Sequence, residues 1–216
     1  CFIFAMNPVS IRTIVLLIAC ISVVAFAFAI TRTGIDTSFF IGLLFAAAQE
    51  FAQSGTIVSD FMPIGYSGFL GTCVKTGGVG VIPVCQSFIY AGVLLAVFLF
   101  LHLRAAGNTL LIFGILAVAF HPVFLLNIWR VHDGNVTTFL LFGFLVAGIA
   151  FSRFRNKWSI LFLGVFAGLL LTVRGNALFL VFPALFLLRI GMHLWKIDYV
   201  KRVAIFSVGA IIAFAA

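Results

Sequence analysis

Long apolar runs separated by short polar stretches fill most of the chain. They cover residues 11–30, 83–103, 109–128, 135–151, 158–173 and 177–190, and a seventh run begins at Val203. Within lipid, a run this apolar satisfies its backbone N–H and C=O groups internally only as an α-helix. The pattern predicts an all-α fold, a polytopic transmembrane helical bundle of about seven helices forming a single domain over residues 1–216. Pro122, after His121, predicts a kink inside the third helix.

The stretch from residue 31 to residue 82 interrupts this pattern, and we expect it to form an extracytoplasmic loop. Apolar side chains of residues 37–53 recur at helical spacing, with Gln49, Glu50 and Gln53 on the other side. This segment is too short and too polar at its end to span a membrane, which predicts an amphipathic juxtamembrane helix lying in the interface. The glycine-rich residues 61–80 predict turns and close backbone approach, with a re-entrant hairpin as the alternative.

Composition narrows the class of protein. The chain is 64% hydrophobic and 8% charged, whereas soluble domains are about 25% charged. A net charge of +8 would suggest nucleic acid in a soluble protein. In a membrane protein, basic residues in the cytoplasmic loops account for this charge. We therefore expect membrane lipids as partners and no nucleic acid.

The distribution of lysine and arginine predicts the orientation. With a cytoplasmic N-terminus, nine of the 13 basic residues lie inside and four lie outside, which obeys the positive-inside rule. We therefore expect a bacterial inner-membrane protein. The chain starts at Cys1 and ends inside the seventh apolar run, and we expect it to be the N-terminal part of a longer protein.

Cysteine and histidine give weaker signals. Cys73 and Cys85 would both lie on or near the outer side, so a disulfide is open, although two free thiols are favoured. The four histidines do not share a helix face, so the pattern does not favour metal or haem ligation by a histidine pair.

Seven charged or titratable residues gather on the predicted outer side. Charges in short turns between apolar helices are costly unless they are paired or used. Arginine binds phosphate oxygens with two parallel hydrogen bonds, and a carboxylate deprotonates a hydroxyl or holds a metal. The set suits a negatively charged, lipid-linked substrate; the alternative is that these charges pair and anchor helix ends. Its members are Asp36, Glu50, Asp60, Arg130, His132, Asp133 and Arg174.

Three features of the order of segments resemble the membrane glycosyltransferases of the GT-C fold, in particular the protein O-mannosyltransferase and lipid A aminoarabinose transferase branch. An acidic residue, Asp36, follows the first helix and precedes an amphipathic helix. A Pro-x-Gly-Tyr-x-x-Phe-Leu motif covers residues 63–70. Residues 164–183 then form a helix, an arginine turn and a helix with proline.

The resemblance implies transfer of a sugar from a polyprenyl-phosphate donor to an extracytoplasmic lipid, glycan or protein acceptor. Asp36 would be the catalytic base, and the remaining six residues of the outer set would bind substrate. Arg174 would hold the donor phosphate, and Asp133 with His132 would form a second functional turn. No cofactor is assigned and a divalent metal is left open. The alternatives are a transporter or flippase, and a non-catalytic subunit of a membrane complex.

Overall fold

The structure, a computed structural model, describes residues 8–30, 39–55, 64–103, 107–130, 132–174 and 199–215. These residues are almost entirely helical and contain no strand. In chain order they form α1 (Pro8–Ile30), α2 (Phe39–Ser54), α3 (Ile64–Gly77), a 3₁₀ turn (Val79–Val81), α4 (Ile82–Leu103), α5 (Asn108–Ala119), α6 (Pro122–Trp129), α7 (Gly134–Phe154), α8 (Lys157–Val173) and α9 (Tyr199–Ala215).

Two of these helices are long and apolar enough to cross a membrane. They are Val79–Leu103, which includes the 3₁₀ turn, and Gly134–Phe154. The pair Thr109–Ala119 and Pro122–Ile128 counts as a third span if its two helices, bent by 46°, are taken together. The described residues thus contain two or three helices that could cross a membrane. The predicted sixth run, residues 177–190, lies outside the described residues.

Contacts divide the chain into two compact units. Unit 1 comprises Cys1–Met62 and Ser67–Phe139, and unit 2 comprises Pro63–Tyr66 and Leu140–Ala216. The division falls inside α3 and inside α7. In unit 1, α1 packs against α4, α5 and α6, and α4 packs against α5 and α6.

Helix α1 buries a stripe of small residues and exposes large ones. Ala19, Val23 and Ala27 recur every four residues and are buried, so they share the face that packs on the neighbouring helices. Ile18 and Ile21 on the other face are 58% and 66% exposed. An apolar face left open in this way suits contact with lipid better than contact with water.

The glycine-rich segment is helical, and the turns predicted within it are wrong for residues 64–77. They form α3 in one piece, and the chain turns only at Gly78, whose φ is +73°. Close backbone approach is confirmed at Gly71, where a Cβ would lie 2.8 Å from the Ala48 carbonyl oxygen of α2. Gly71 therefore serves the packing of α3 on α2, whereas Gly78 serves chain reversal.

Helix α2 covers most of the segment that was predicted to be an amphipathic helix. Ala47 and Ala48 are buried, while Gln49 and Gln53 are exposed. The interfacial position of α2 stays a prediction.

The kink predicted at Pro122 is confirmed as a break between α5 and α6. Proline has no N–H, so the carbonyl of Val118, four residues earlier, loses its helical donor. The Tyr90 hydroxyl of α4 donates to that carbonyl, as does the backbone N–H of His121 at 3.1 Å. The bend is therefore stabilised from a neighbouring helix.

The structure leaves the two cysteines of this region as free thiols. Cys73 is buried on α3, and the side chain of Cys85 on α4 is its hydrogen-bond partner. Burial, followed by the neighbouring Cys85 thiol, raises the pKa of the Cys73 thiol. The prediction of two free thiols is confirmed.

In unit 2, α8 and α9 pack with almost no space between their backbones. A Cβ at Gly164 would collide with the carbonyl oxygen of Phe206, and one at Gly168 would lie 2.8 Å from the carbonyl oxygen of Ala210. Gly209 of α9 lies equally close to the backbone of α8. Phe144, Ala147, Leu163 and Ala167 form a buried cluster between α7 and α8.

Gly164→Ala should destabilise unit 2, because the new methyl group needs space that the Phe206 carbonyl occupies. Overpacking of this kind costs about 1–3 kcal/mol. The matched control is Gly148→Ala on α7, where a Cβ would meet only Leu163 at 3.8 Å. Thermal unfolding of the purified protein in detergent should show a lower Tm for Gly164→Ala alone. Equal Tm values for the two variants would contradict the packing described here.

Candidate functional site

A side chain of α4 holds the backbone of the turn that follows α6. The N–H of Arg130 caps α6 by donating to the Leu126 carbonyl at 2.9 Å, and its backbone then becomes extended. The Arg130 carbonyl accepts a hydrogen bond from Nε2 of the buried Gln86 at 3.2 Å. The position of this turn is thus fixed from inside unit 1, while Arg130 itself is exposed.

Asp133 begins α7 and lies next to His132. Its carbonyl accepts the first helical hydrogen bond from the N–H of Thr137 at 2.8 Å, and Oδ2 accepts from the Thr137 hydroxyl at 3.3 Å. Oδ1 lies 3.3 Å from Nδ1 of His132. The Asp133 side chain is 15% exposed and that of His132 is 45% exposed. A carboxylate at a helix N-terminus is favoured by the helix dipole.

The Nδ1 atom of His132 has two neighbours that require opposite protonation states. The N–H of Gly134 points at it from 2.9 Å, which fits a neutral ring in which Nδ1 accepts. The Asp133 carboxylate fits a protonated ring in which Nδ1 donates. Nδ1 therefore has a hydrogen-bond partner whether it accepts or donates.

Polar side chains buried around this turn were missed by the sequence analysis. Asn135 is 1% exposed, and its Nδ2 donates to the Phe124 carbonyl at 3.2 Å. Asn127 packs so close to Gly134 that a Cβ there would lie 2.5 Å from its Nδ2. The sequence carried one signal for them, namely an amide residue in an otherwise apolar run. Such an amide is usually hydrogen-bonded when it is buried.

Arg174 belongs to unit 2 and repeats the backbone geometry of Arg130. It caps α8 by donating its N–H to the Leu170 carbonyl at 2.8 Å, and its backbone is extended. The residue is half-buried. A cation at this position is favoured by the negative end of the helix dipole, so anchoring alone accounts for part of its role.

The remaining predicted site residues divide into two groups. Glu50 lies half-buried on α2, where its carbonyl accepts from the Ser54 hydroxyl at 2.8 Å. Asp36 and Asp60 lie outside the described residues. The structure therefore brings Arg130, His132 and Asp133 together in one turn of unit 1, and their roles in substrate binding stay predictions.

Metal ligation has no support in the part of the chain that the structure describes. No group of three or more histidine, cysteine, aspartate or glutamate side chains there could hold an ion. Asp36 and Asp60 fall outside that part, so the question of a divalent metal stays open.

An apolar groove lies in unit 1 beside the break between α5 and α6. Its volume is about 190 Å³. Ser22 is its one polar lining residue, so the groove suits a hydrocarbon segment better than a polar ligand. The lining residues are Ala19, Ser22, Val23, Phe26, Ala119, Phe120 and Leu125.

Comparison of the chain with protein-family models, with curated proteins and with solved structures found no match.

Asp133→Ala should lower the free energy of unfolding by about 0.5–2 kcal/mol, because α7 loses the side chain at its N-cap. Asp133→Asn should retain most of the stability, since an amide oxygen still accepts from the Thr137 hydroxyl. Thermal or denaturant unfolding of both variants measures the difference. If Asp133→Ala unfolds at the wild-type midpoint, the Asp133 side chain does not stabilise the start of α7.

Proposed function

We propose that the protein is an integral membrane glycosyltransferase that moves a sugar from a polyprenyl-phosphate donor to an extracytoplasmic acceptor. The acceptor hydroxyl attacks the anomeric carbon, the bond from that carbon to the phosphate oxygen breaks, and the lipid phosphate leaves. A base takes the hydroxyl proton. The observation that carries the proposal is the turn from Arg130 to Asp133, which gathers a cation, an imidazole and a carboxylate at the end of apolar helices.

The His132–Asp133 contact supports recognition of a sugar or acceptor hydroxyl. The carboxylate is largely buried and orients the imidazole, while the imidazole is half-exposed. A ring held in this way exchanges protons and hydrogen bonds with a hydroxyl group at its exposed edge. Arg130, two residues before His132, supplies a guanidinium suited to a phosphate.

The apolar groove supports a lipid-linked substrate. It lies in the same unit as the charged turn, and its lining is almost wholly hydrocarbon. A polyprenyl chain has no polar group to satisfy, so transfer of its surface into such a groove is favourable.

Two further residues complete the proposal. Asp36, which follows the first helix, is the base that receives the acceptor proton. Arg174, at the end of α8, holds the donor phosphate with two parallel hydrogen bonds. On this proposal both residues face the extracytoplasmic side of a bacterial inner membrane.

The bend between α5 and α6 favours a transporter or flippase as a second candidate. Broken helices and buried polar groups in a span are typical of transporters, and this span is bent by 46° with Tyr90 hydrogen-bonded at the break. A transporter would move the lipid-linked or soluble substrate across proteoliposomes without cleaving it, whereas the enzyme releases polyprenyl phosphate.

Asp36→Asn should abolish transfer of label from radiolabelled polyprenyl-phosphate sugars while leaving the protein folded. The amide is close to the same size but does not accept a proton at neutral pH. Membranes containing the complete protein, wild type or variant, are incubated with each donor, and labelled lipid and protein are separated and counted. Wild-type turnover in the variant would remove Asp36 from the chemistry.

Arg174→Lys serves as the matched variant in the same assay. Lysine keeps the charge that favours the C-terminus of α8, so we expect an unchanged Tm. It loses the planar fork, so the donor KM should rise about tenfold or more while kcat changes less. If no donor is transferred by the folded wild type, the transporter is tested by flux of the same donors.

A further inference from the structure

Five cations lie at the end of unit 2 where α7 ends and α8 begins. Three of them lie in residues 153–157, which connect α7 to α8, and two lie in the first turn of α9. None of the five was assigned to the proposed reaction. Nη2 of Arg202 donates to the carbonyl oxygen of Arg155 at 3.1 Å, which joins the start of α9 to the connection. We call this set the cation cluster: Arg153, Arg155, Lys157, Lys201 and Arg202.

Two exposed aromatic rings flank the connection, each beside a cation. Phe154 is 57% exposed and the Arg153 guanidinium carbon lies 5.7 Å from its ring centroid. Trp158 is 58% exposed and Nζ of Lys157 lies 5.7 Å from its ring. Aromatic rings are enriched at the level of lipid headgroups, where one edge is apolar and the other is wet. The two pairs mark that level on unit 2.

Arg155 adopts a backbone conformation that a non-glycine residue rarely adopts. Its φ is +53°, in the left-handed region. Arginine has none of the features that relieve this conformation in glycine or asparagine. Its carbonyl is engaged by Arg202 and the residue itself is exposed. An arginine at this position places a charged side chain in the cluster, although its backbone conformation is strained.

Exposed hydrocarbon continues from the cluster along both helices. Phe162 on α8 is 53% exposed, and Ile211 and Ile212 on α9 are 65% and 53% exposed. A ligand that fits this surface has a negative head and an apolar body. Inorganic phosphate and nucleic acid meet only the first of these requirements.

We infer that the cation cluster binds the phosphate groups of anionic phospholipids whose acyl chains lie along α8 and α9. The inference rests on the proposal that the protein is embedded in a membrane, and it does not depend on sugar transfer. Arg202 commits one guanidinium nitrogen to the Arg155 carbonyl, and a guanidinium has five N–H donors. The cations attract the headgroups, and the aromatic pairs fix their depth.

Trp158 provides a local probe of the bound lipid. The full chain with Trp129→Phe and Trp195→Phe is reconstituted in vesicles that mix phosphatidylcholine with phosphatidylglycerol, one of the two carrying brominated acyl chains that quench tryptophan. The preference for phosphatidylglycerol is measured from quenching of Trp158.

Trp158 should favour phosphatidylglycerol several-fold over phosphatidylcholine. Removal of the cations should lower this preference towards one, and the variant that lacks more of them should lie closer to one. Arg153→Gln with Lys157→Gln leaves the contact between Arg202 and Arg155 in place, and the triple variant that adds Arg202→Gln tests the complete cluster. Lys75→Gln, an exposed cation of α3 in unit 1, should leave the ratio unchanged.

Three results would overturn the inference. One is an equal quenching ratio for the two lipids at Trp158. Another is a preference that survives removal of the cations. The last is displacement of phosphatidylglycerol by inorganic phosphate at an equal concentration, which would identify a soluble phosphate site. Since no sugar donor is present, the outcome is independent of the transfer assay.

Discussion

Backbone polar groups that lose their helical partners in an apolar surrounding must find other donors, and unit 1 is organised by this requirement. Pro122 removes a donor from the Val118 carbonyl, and the Tyr90 hydroxyl replaces it. The Arg130 carbonyl beyond α6 is satisfied by Gln86 in the same way. Both donors come from α4, so one straight helix fixes where the bent pair breaks and where it ends. An unsatisfied carbonyl in hydrocarbon would cost several kcal/mol, on the order of 2–7.

The hydrogen bonds from α4 determine the position of the candidate site. The end of α6 sets the position of Arg130, and the start of α7 sets that of Asp133, with His132 between them. The imidazole has an acceptor and a donor within reach of the same nitrogen. The position of the turn therefore depends on the buried amides of Gln86 and Asn135. In unit 2 the corresponding constraint is steric, because α8 and α9 approach through Gly164, Gly168 and Gly209.

The sequence predicted helices well where an apolar run ends at a polar turn. The end of α8 at Val173 was predicted to the residue, because Arg174 and Gly175 follow directly. The glycine-rich residues 64–77 were predicted wrongly, since local propensity favours turns and only the contact with α2 shows that small size is what matters. Among the site residues, Asp133 was found through its charge. Gln86, Asn127 and Asn135 were missed, because the sequence of an apolar run does not show which group a buried amide faces.

We propose that α7 crosses the membrane, with His132, just before its first residue, on the outer side and Ser152, in its last turn, on the inner side. Single cysteines at His132 and at Ser152, in a background with the four native cysteines replaced by serine, test it with a membrane-impermeant maleimide. The account predicts labelling of His132→Cys in intact spheroplasts and of Ser152→Cys only after permeabilisation. Labelling of both positions from the same side would contradict it.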